Sequence, residues 1–262
     1  MAEALFWAAF ACYATAAVSY AAIFRASRRA ARIGRWGARL GWLLQTALIG
    51  LQAADADGFA WASWAGSLNL FVWLVAGAYL IWGCRTRYQL LGTEVMPLVV
   101  LLLAISYAGG GTSASQERRY SALFLVLHVG LVLVAFAGFT LAAALSVLYL
   151  WQERRLKRRE AGVLRVPAPA LVKLDDLLGR TITVALPALT LGILAGAVRL
   201  AMHGGGVDIL MVVTVVTWAV YGAFLVLRFE ADWHGRRAAY LALAGFALVV
   251  AVRLGLPTSH FA

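Results

Sequence analysis

Apolar residues do not alternate along this chain; they come in long unbroken runs separated by short polar stretches. A helix needs about 20 residues to cross a bilayer, and walking the chain for runs near that length yields eight predicted spans. They cover residues 4–24, 40–54, 67–82, 90–107, 121–151, 183–201, 209–229 and 238–256. The second and third are short. The fifth, about 31 residues or about 46 Å at the helical rise, outruns the membrane or tilts. The predicted fold is therefore all-α, a polytopic membrane protein of eight transmembrane helices. Residues 1–120 form an N-terminal four-helix portion, and residues 121–262 form a second portion that includes a basic loop at 152–182. Because Met1-Ala2-Glu3 supplies no basic leader before the first run, that run reads as a retained helix.

Composition strengthens this picture. Of 262 residues 63% are hydrophobic and 13% charged, with a mean hydropathy of +0.82. A soluble domain carries about a quarter charged residues, so a soluble enzyme is excluded. The net charge of +11 would suit nucleic acid if the basic residues formed one patch. They lie between apolar runs instead, so membrane lipid is the expected partner and nucleic acid is not. Cys12 and Cys84 fall in separate runs without a CxxC spacing, which makes two small buried hydrophobes of them.

The basic residues also give the chain a side. Arg25, Arg28, Arg29, Arg32, Arg35 and Arg39 precede the second span, Arg85 and Arg87 lie in the third loop, eight more in the fifth and three in the seventh, 19 of 23 on alternate loops. The positive-inside rule makes those loops cytoplasmic and leaves both termini outside. In the fifth loop Leu171, Leu174, Leu177 and Leu178 recur at helical spacing between charges, predicting a short helix on the membrane surface or else a solvated linker.

That topology puts His128, His203 and His260 at the outer face and His234 in the cytoplasm. Two imidazoles on opposite sides of a flat apolar macrocycle are what haem iron takes as axial ligands. His128, inside an apolar helix, is the least expected as mere surface polarity; His203 and His260 equally suit polar interfacial residues. Trp61 and Trp64 form either an aromatic shelf for a flat ligand or an interfacial anchor. Arg199 suits a haem propionate and a lipid headgroup alike.

From about Leu123 onward, ordered blocks appear: Leu127-His-Val-Gly-Leu131, Leu145-Ser-Val-Leu-Tyr-Leu-Trp-Gln152, Leu174-Asp-Asp-Leu-Leu178, Leu189-Thr-Leu-Gly-Ile-Leu-Ala-Gly196, Thr217-Trp-Ala-Val-Tyr221 and Trp233-His-Gly-Arg-Arg-Ala-Ala-Tyr240. In their order and spacing these blocks resemble the cytochrome c assembly family, haem-handling polytopic proteins of the CcsA and HemX type. The resemblance implies spans around an outward haem platform, a b-type haem cofactor, and His128 and His260 in the positions of the family's two external histidines. It also implies a bacterial plasma (inner) membrane location and partners among cytochrome c maturation or haem-pathway proteins. The chain departs from the family in two places. The family's tryptophan-rich outer segment is reduced to Met202-His-Gly-Gly-Gly-Val-Asp208, where Asp208 alone corresponds, and Gln45 stands where a histidine of the second span is expected. Complete cytochrome c synthase activity is therefore not expected of this chain alone. The expected function is binding or presenting haem at the outer face as an accessory to cytochrome c maturation. The alternatives are a HemX-like regulatory or scaffold protein of haem biosynthesis that binds no haem, and a permease.

Overall fold

The computed structural model describes residues 1–22, 28–55, 63–82, 86–111, 125–159, 169–203 and 209–255. Among them are eight α-helices: α1 (Ala2–Ala21), α2 (Arg28–Asp55), α3 (Trp64–Trp82), α4 (Gly92–Ala108), α5 (Leu131–Lys157), α6 (Leu171–His203), α7 (Ile209–Glu230) and α8 (Arg236–Gly255). A 3₁₀ turn, Thr86–Leu91, leads into α4, and a π-helical turn, Leu125–Gly130, leads into α5. Among the described residues, six stretches are long and apolar enough to cross a membrane: Ala2–Ala21, Trp64–Ile81, Tyr88–Ala108, Leu127–Lys157, Leu171–Met202 and Ile209–Glu230. The protein is an all-helical, multi-pass membrane protein. Helices suit this setting because each satisfies its own backbone polar groups where no water can.

Two predicted boundaries are corrected. The arginines from Arg28 to Arg39, assigned to a loop, are helical: α2 runs unbroken from Arg28 to Asp55, since alanine, leucine and arginine are all strong helix formers. Leu171 to Leu178, expected as a separate surface helix, are the first turns of the 33-residue α6. Leu174, Leu177 and Leu178 are buried in the protein, so their stripe faces neighbouring helices. Helical spacing alone does not say whether an apolar stripe meets lipid or protein.

The helices gather into two compact units, one built from α1 to α4 and the other from α5 up to Arg154 with α6, α7 and α8. In the first, α1 and α2 run antiparallel in close contact. Tyr20 and Tyr13 of α1 lie over Gly34 and Gly41 of α2, and a Cβ at Gly37 would come within 2.9 Å of the Cys12 carbonyl oxygen. Small residues allow this approach, as is common between helices in lipid. A buried chain of hydrogen bonds then ties the four helices together. Tyr13 Oη donates to Gln45 Oε1 (2.9 Å), Gln45 Nε2 to Asn69 Oδ1 (2.8 Å), Asn69 Nδ2 to Gln52 Oε1 (3.4 Å), and Gln52 Nε2 to the Gly111 carbonyl (2.9 Å). Gln45, at the position where the family resemblance leads one to expect a histidine, thus accepts from one helix and donates to another.

In the second unit, the Phe139 ring of α5 stacks on Tyr221 of α7 at 3.8 Å with planes 5° apart, and Tyr221 Oη donates to the Ala242 carbonyl of α8 (3.2 Å). The offset or parallel packing of such rings adds to their area burial.

Candidate functional site

His128 sits in the π-helical turn before α5, and its half-buried ring lies against α6. Nδ1 is 2.7 Å from the Gly192 carbonyl oxygen. A carbonyl only accepts, so the proton is on Nδ1, and in the neutral ring Nε2 carries the lone pair. A backbone carbonyl holding one imidazole nitrogen while the other serves as a ligand is the usual way a protein orients a metal-binding histidine. The local sequence provides for this arrangement. Gly192 and Gly196 are one turn apart on α6; a Cβ at Gly192 would come within 2.7 Å of Val132 Cγ2, and one at Gly196 within 2.7 Å of His128 Cε1. The ring occupies the space left at Gly196, and Val132 the space left at Gly192. A π-helical turn, wider than an α turn, changes the phase in which a side chain leaves its helix and recurs at functional sites.

Gly192, Gly196, Arg199 and His203 follow one another at spacings of four, three and four, so their backbone positions share one face of α6. Arg199, half-buried, is one turn beyond the glycine under the His128 ring, about 4.5 Å further along the axis. The structure thus places His128, Arg199 and the His203 backbone position along a single stripe. The His203 side chain, and Trp61, Asp208 and His260 entirely, lie outside the described residues. Trp64 is described and belongs to the first unit. It opens α3 and covers Gly109, where a Cβ would meet its ring at 2.7 Å. Its six-membered ring is engaged in packing against the turn that ends α4. Among the described residues, no group of three or more His, Cys, Asp or Glu could hold a metal ion. Haem does not need such a group, since the macrocycle supplies four of the iron's ligands and the protein only the axial ones.

The other end of α6 carries a buried ion pair that sequence reasoning missed. Arg228 Nη2 lies 2.9 Å from Asp175 Oδ2 and Nη1 3.3 Å from Oδ1, with Nη2 also donating to the Asp175 carbonyl (3.1 Å). The Gly235 N–H donates to Asp175 Oδ1 at 2.8 Å. Two glycines make room. A Cβ at Gly179 would strike the Arg228 guanidinium at Nε, 2.5 Å away, and Gly235, at φ +67°, has Tyr149 Oη 2.7 Å from where its Cβ would be. A left-handed φ favours glycine on its own account. The available signal was the Asp175-Asp176 pair and Arg228 at the ends of two apolar helices that neighbour each other in sequence.

These two ends account for the ordered blocks of the sequence. The blocks around Tyr149, Asp175 and Gly235 meet at the ion pair, those around His128 and Gly192–Gly196 meet at the imidazole, and the Thr217–Tyr221 block carries the ring stack between them. Asp175 and Gly192 are 17 residues apart on one helix, about 26 Å, close to the thickness of a hydrocarbon core.

The fold is a helical membrane frame with a histidine oriented by a backbone carbonyl. Comparison with known proteins identifies its family. The cytochrome c assembly protein family model matches residues 61–259, and the chain belongs to that family. It is 27% identical to the cytochrome c biogenesis protein CcsA of Guillardia theta, over 89% of this chain and 85% of the relative. Against the CcsA proteins of Microcystis aeruginosa and Synechococcus elongatus identity is 25% and 26%, each over 86% of this chain and 84% of the relative. No solved structure matches. A role in cytochrome c maturation follows from the family.

Proposed function

We propose that the protein binds b-type haem at the outer face of a bacterial plasma membrane and presents it during cytochrome c maturation, with His128 and His260 as the residues that would hold the iron. In this reading all eight helices span, both termini lie outside, and the α5–α8 unit is the haem-handling core, with α1–α4 as its companion. The observation that carries the proposal is the His128 Nδ1–H bond to the Gly192 carbonyl, which fixes the tautomer and orientation of the ring as at metal-binding histidines. Haem, when bound, would supply an iron that takes imidazole nitrogen and an apolar macrocycle bearing two propionates.

The chain's own residues do the rest. Gly192 and Gly196 hold the His128 ring in one tautomer and one orientation. Arg199, on the same face, offers a guanidinium fork to a carboxylate. His203 is a third imidazole at the end of the same stripe, and Trp61, Trp64 and Asp208 border the outer face. The partners this implies are other maturation or haem-pathway proteins that deliver haem or accept it.

The absorbance spectrum of the protein, expressed with ample haem and purified in mild detergent, tests the proposal. A Soret band with a bis-imidazole reduced spectrum is expected. Absence of a Soret band, with none gained on titration with haemin, would transfer the family role to a regulatory or scaffold function that binds no haem.

A further inference from the structure

The basic half of α2 has two opposite faces. One packs on α1 through Ala31, Gly34, Ala38 and Gly41. The other carries Ile33, Trp36, Leu40 and Leu43, each between 47% and 57% exposed, together with exposed Arg32 and Arg39. Arg32, Trp36, Arg39 and Leu43 recur at four, three and four, a single stripe along that outward face, and the Arg39 guanidinium lies 5.4 Å from the centre of the Trp36 ring.

The depth of this stripe matters. Gln52 of α2 bonds to the Gly111 carbonyl just past the end of α4, and Gly34 packs on Tyr20, one residue from the end of α1. Residues 34 to 52 therefore lie alongside the membrane-spanning parts of both neighbours, about 27 Å of helix. Arg39 is 13 residues, about 20 Å, from Gln52. This depth rests on the reading above in which α2 spans: with Gln52 set at one boundary of a hydrocarbon core about 30 Å thick, Arg32 falls at the other boundary and Arg39 about 10 Å inside it. An arginine at that depth on a lipid-facing stripe requires an anion or a local inward pull of the headgroup layer. Among α1 to α4, the acidic residues are Glu3, at the far end of α1, Asp55, at the far end of α2, and Glu94, in the first turn of α4 at the same end as Gly34 and Tyr20.

We propose that the Arg32–Trp36–Arg39 stripe of α2 is a binding site for an anionic phospholipid, with the phosphate drawn below the headgroup level between the two guanidiniums and the acyl chains along Ile33, Leu40 and Leu43. Arginine binds phosphate through its planar fork and stacks on aromatic faces, so both features of the stripe suit it. Net negative lipid is selected because the cluster of cations on this half of α2 meets no headgroup cation in phosphatidylglycerol, whereas the choline of phosphatidylcholine brings one.

The full chain is reconstituted in nanodiscs of phosphatidylcholine alone and of phosphatidylcholine with phosphatidylglycerol, and thermal unfolding is followed in each. Phosphatidylglycerol raises the unfolding temperature of the wild type, and native mass spectrometry finds it retained. The Arg32→Gln/Arg39→Gln variant loses that rise and most of the retained lipid, while Arg158→Gln/Arg159→Gln, which removes the same charge at the end of α5, keeps both. A photoreactive residue replacing Leu40 in the otherwise native chain captures lipid. The site is refuted if the wild type unfolds identically in the two lipids, if the α2 variant matches it, or if position 40 captures protein. An equal rise from inorganic phosphate in phosphatidylcholine discs would show a free-anion site and equally overturn the lipid.

Discussion

At the scale of single residues, the Nδ1 bond of His128 makes a sharp expectation about a neighbour that touches no ligand. Gly196→Ala puts a methyl 2.7 Å from Cε1 of the ring, too close to keep, so the imidazole has to turn or α6 has to shift. Overpacking of this kind costs about 1–3 kcal/mol, which leaves the chain folded. The predicted outcome is a protein of ordinary yield with a perturbed bis-imidazole spectrum. His128→Gly removes the proposed ligand without crowding, and added imidazole restores the spectrum there but not in Gly196→Ala, where the space is filled. Spectra of the two variants with and without imidazole separate a positioning role from a ligand role. His128 itself was legible in the sequence, because a histidine within an apolar run stands out by its cost. The glycines that aim it were not: their role exists only once α6 lies beside the turn that bears the histidine, and nothing in a single run announces its neighbour.

The Asp175–Arg228 pair sets a second residue-scale expectation. Removing one member of a buried pair leaves the other charge without its counter-ion, at a cost of about 3–5 kcal/mol, whereas replacing both by apolar residues is often near neutral. Asp175→Asn and Arg228→Leu should each lower the unfolding temperature in detergent strongly. Asp175→Leu/Arg228→Leu should recover much of the loss, short of full recovery because the Gly235 N–H would then lose its acceptor. Equal losses in single and double variants would show that the pair's value lies in the turn geometry around Gly235.

At the scale of elements, the polar chain through Gln45 distinguishes framework from site. Its amides lie on α2 and α3 and close on the turn after α4, and each of the bonds cited in the fold joins two different elements. Side-chain hydrogen bonds between membrane helices are worth about 0.6–2 kcal/mol each. Gln45→Leu cuts three of them, one from Tyr13 and two to Asn69, and orphans the Tyr13 hydroxyl and one side of Asn69. It should destabilise the protein by about 2–3 kcal/mol while leaving the haem spectrum of folded protein unchanged. A thermal melt and an absorbance scan on the same sample check both halves. Helix existence was readable for every run, since continuous apolar sequence in lipid has no alternative but helix or barrel. Helix extent was not readable for α2 and α6. In both, charged residues at one end were taken to mark a loop, yet arginine is a good helix former, and the first turns of α6 bury their leucines against protein.

At the scale of the whole molecule, the two ends of α6 give the topology a test that charge counting alone does not. The ion-pair end joins helices whose neighbouring residues are basic, with Arg236 and Arg237 following Gly235, and Lys173 and Arg180 flanking Asp175. The histidine end has Gly192, Gly196 and one arginine. If basic residues face the cytoplasm, α6 runs outward, and a reporter active only in the cytoplasm should be silent when fused after Gly205 and active when fused after Arg159. A periplasmic reporter should give the converse. The two fusions are on the two sides of one continuous 33-residue helix, so both cannot report the same compartment unless that helix fails to span. Signals reversed at both sites would turn the molecule over and put His128 at the cytoplasmic face. The haem reading would then survive as binding but not as presentation to the outside.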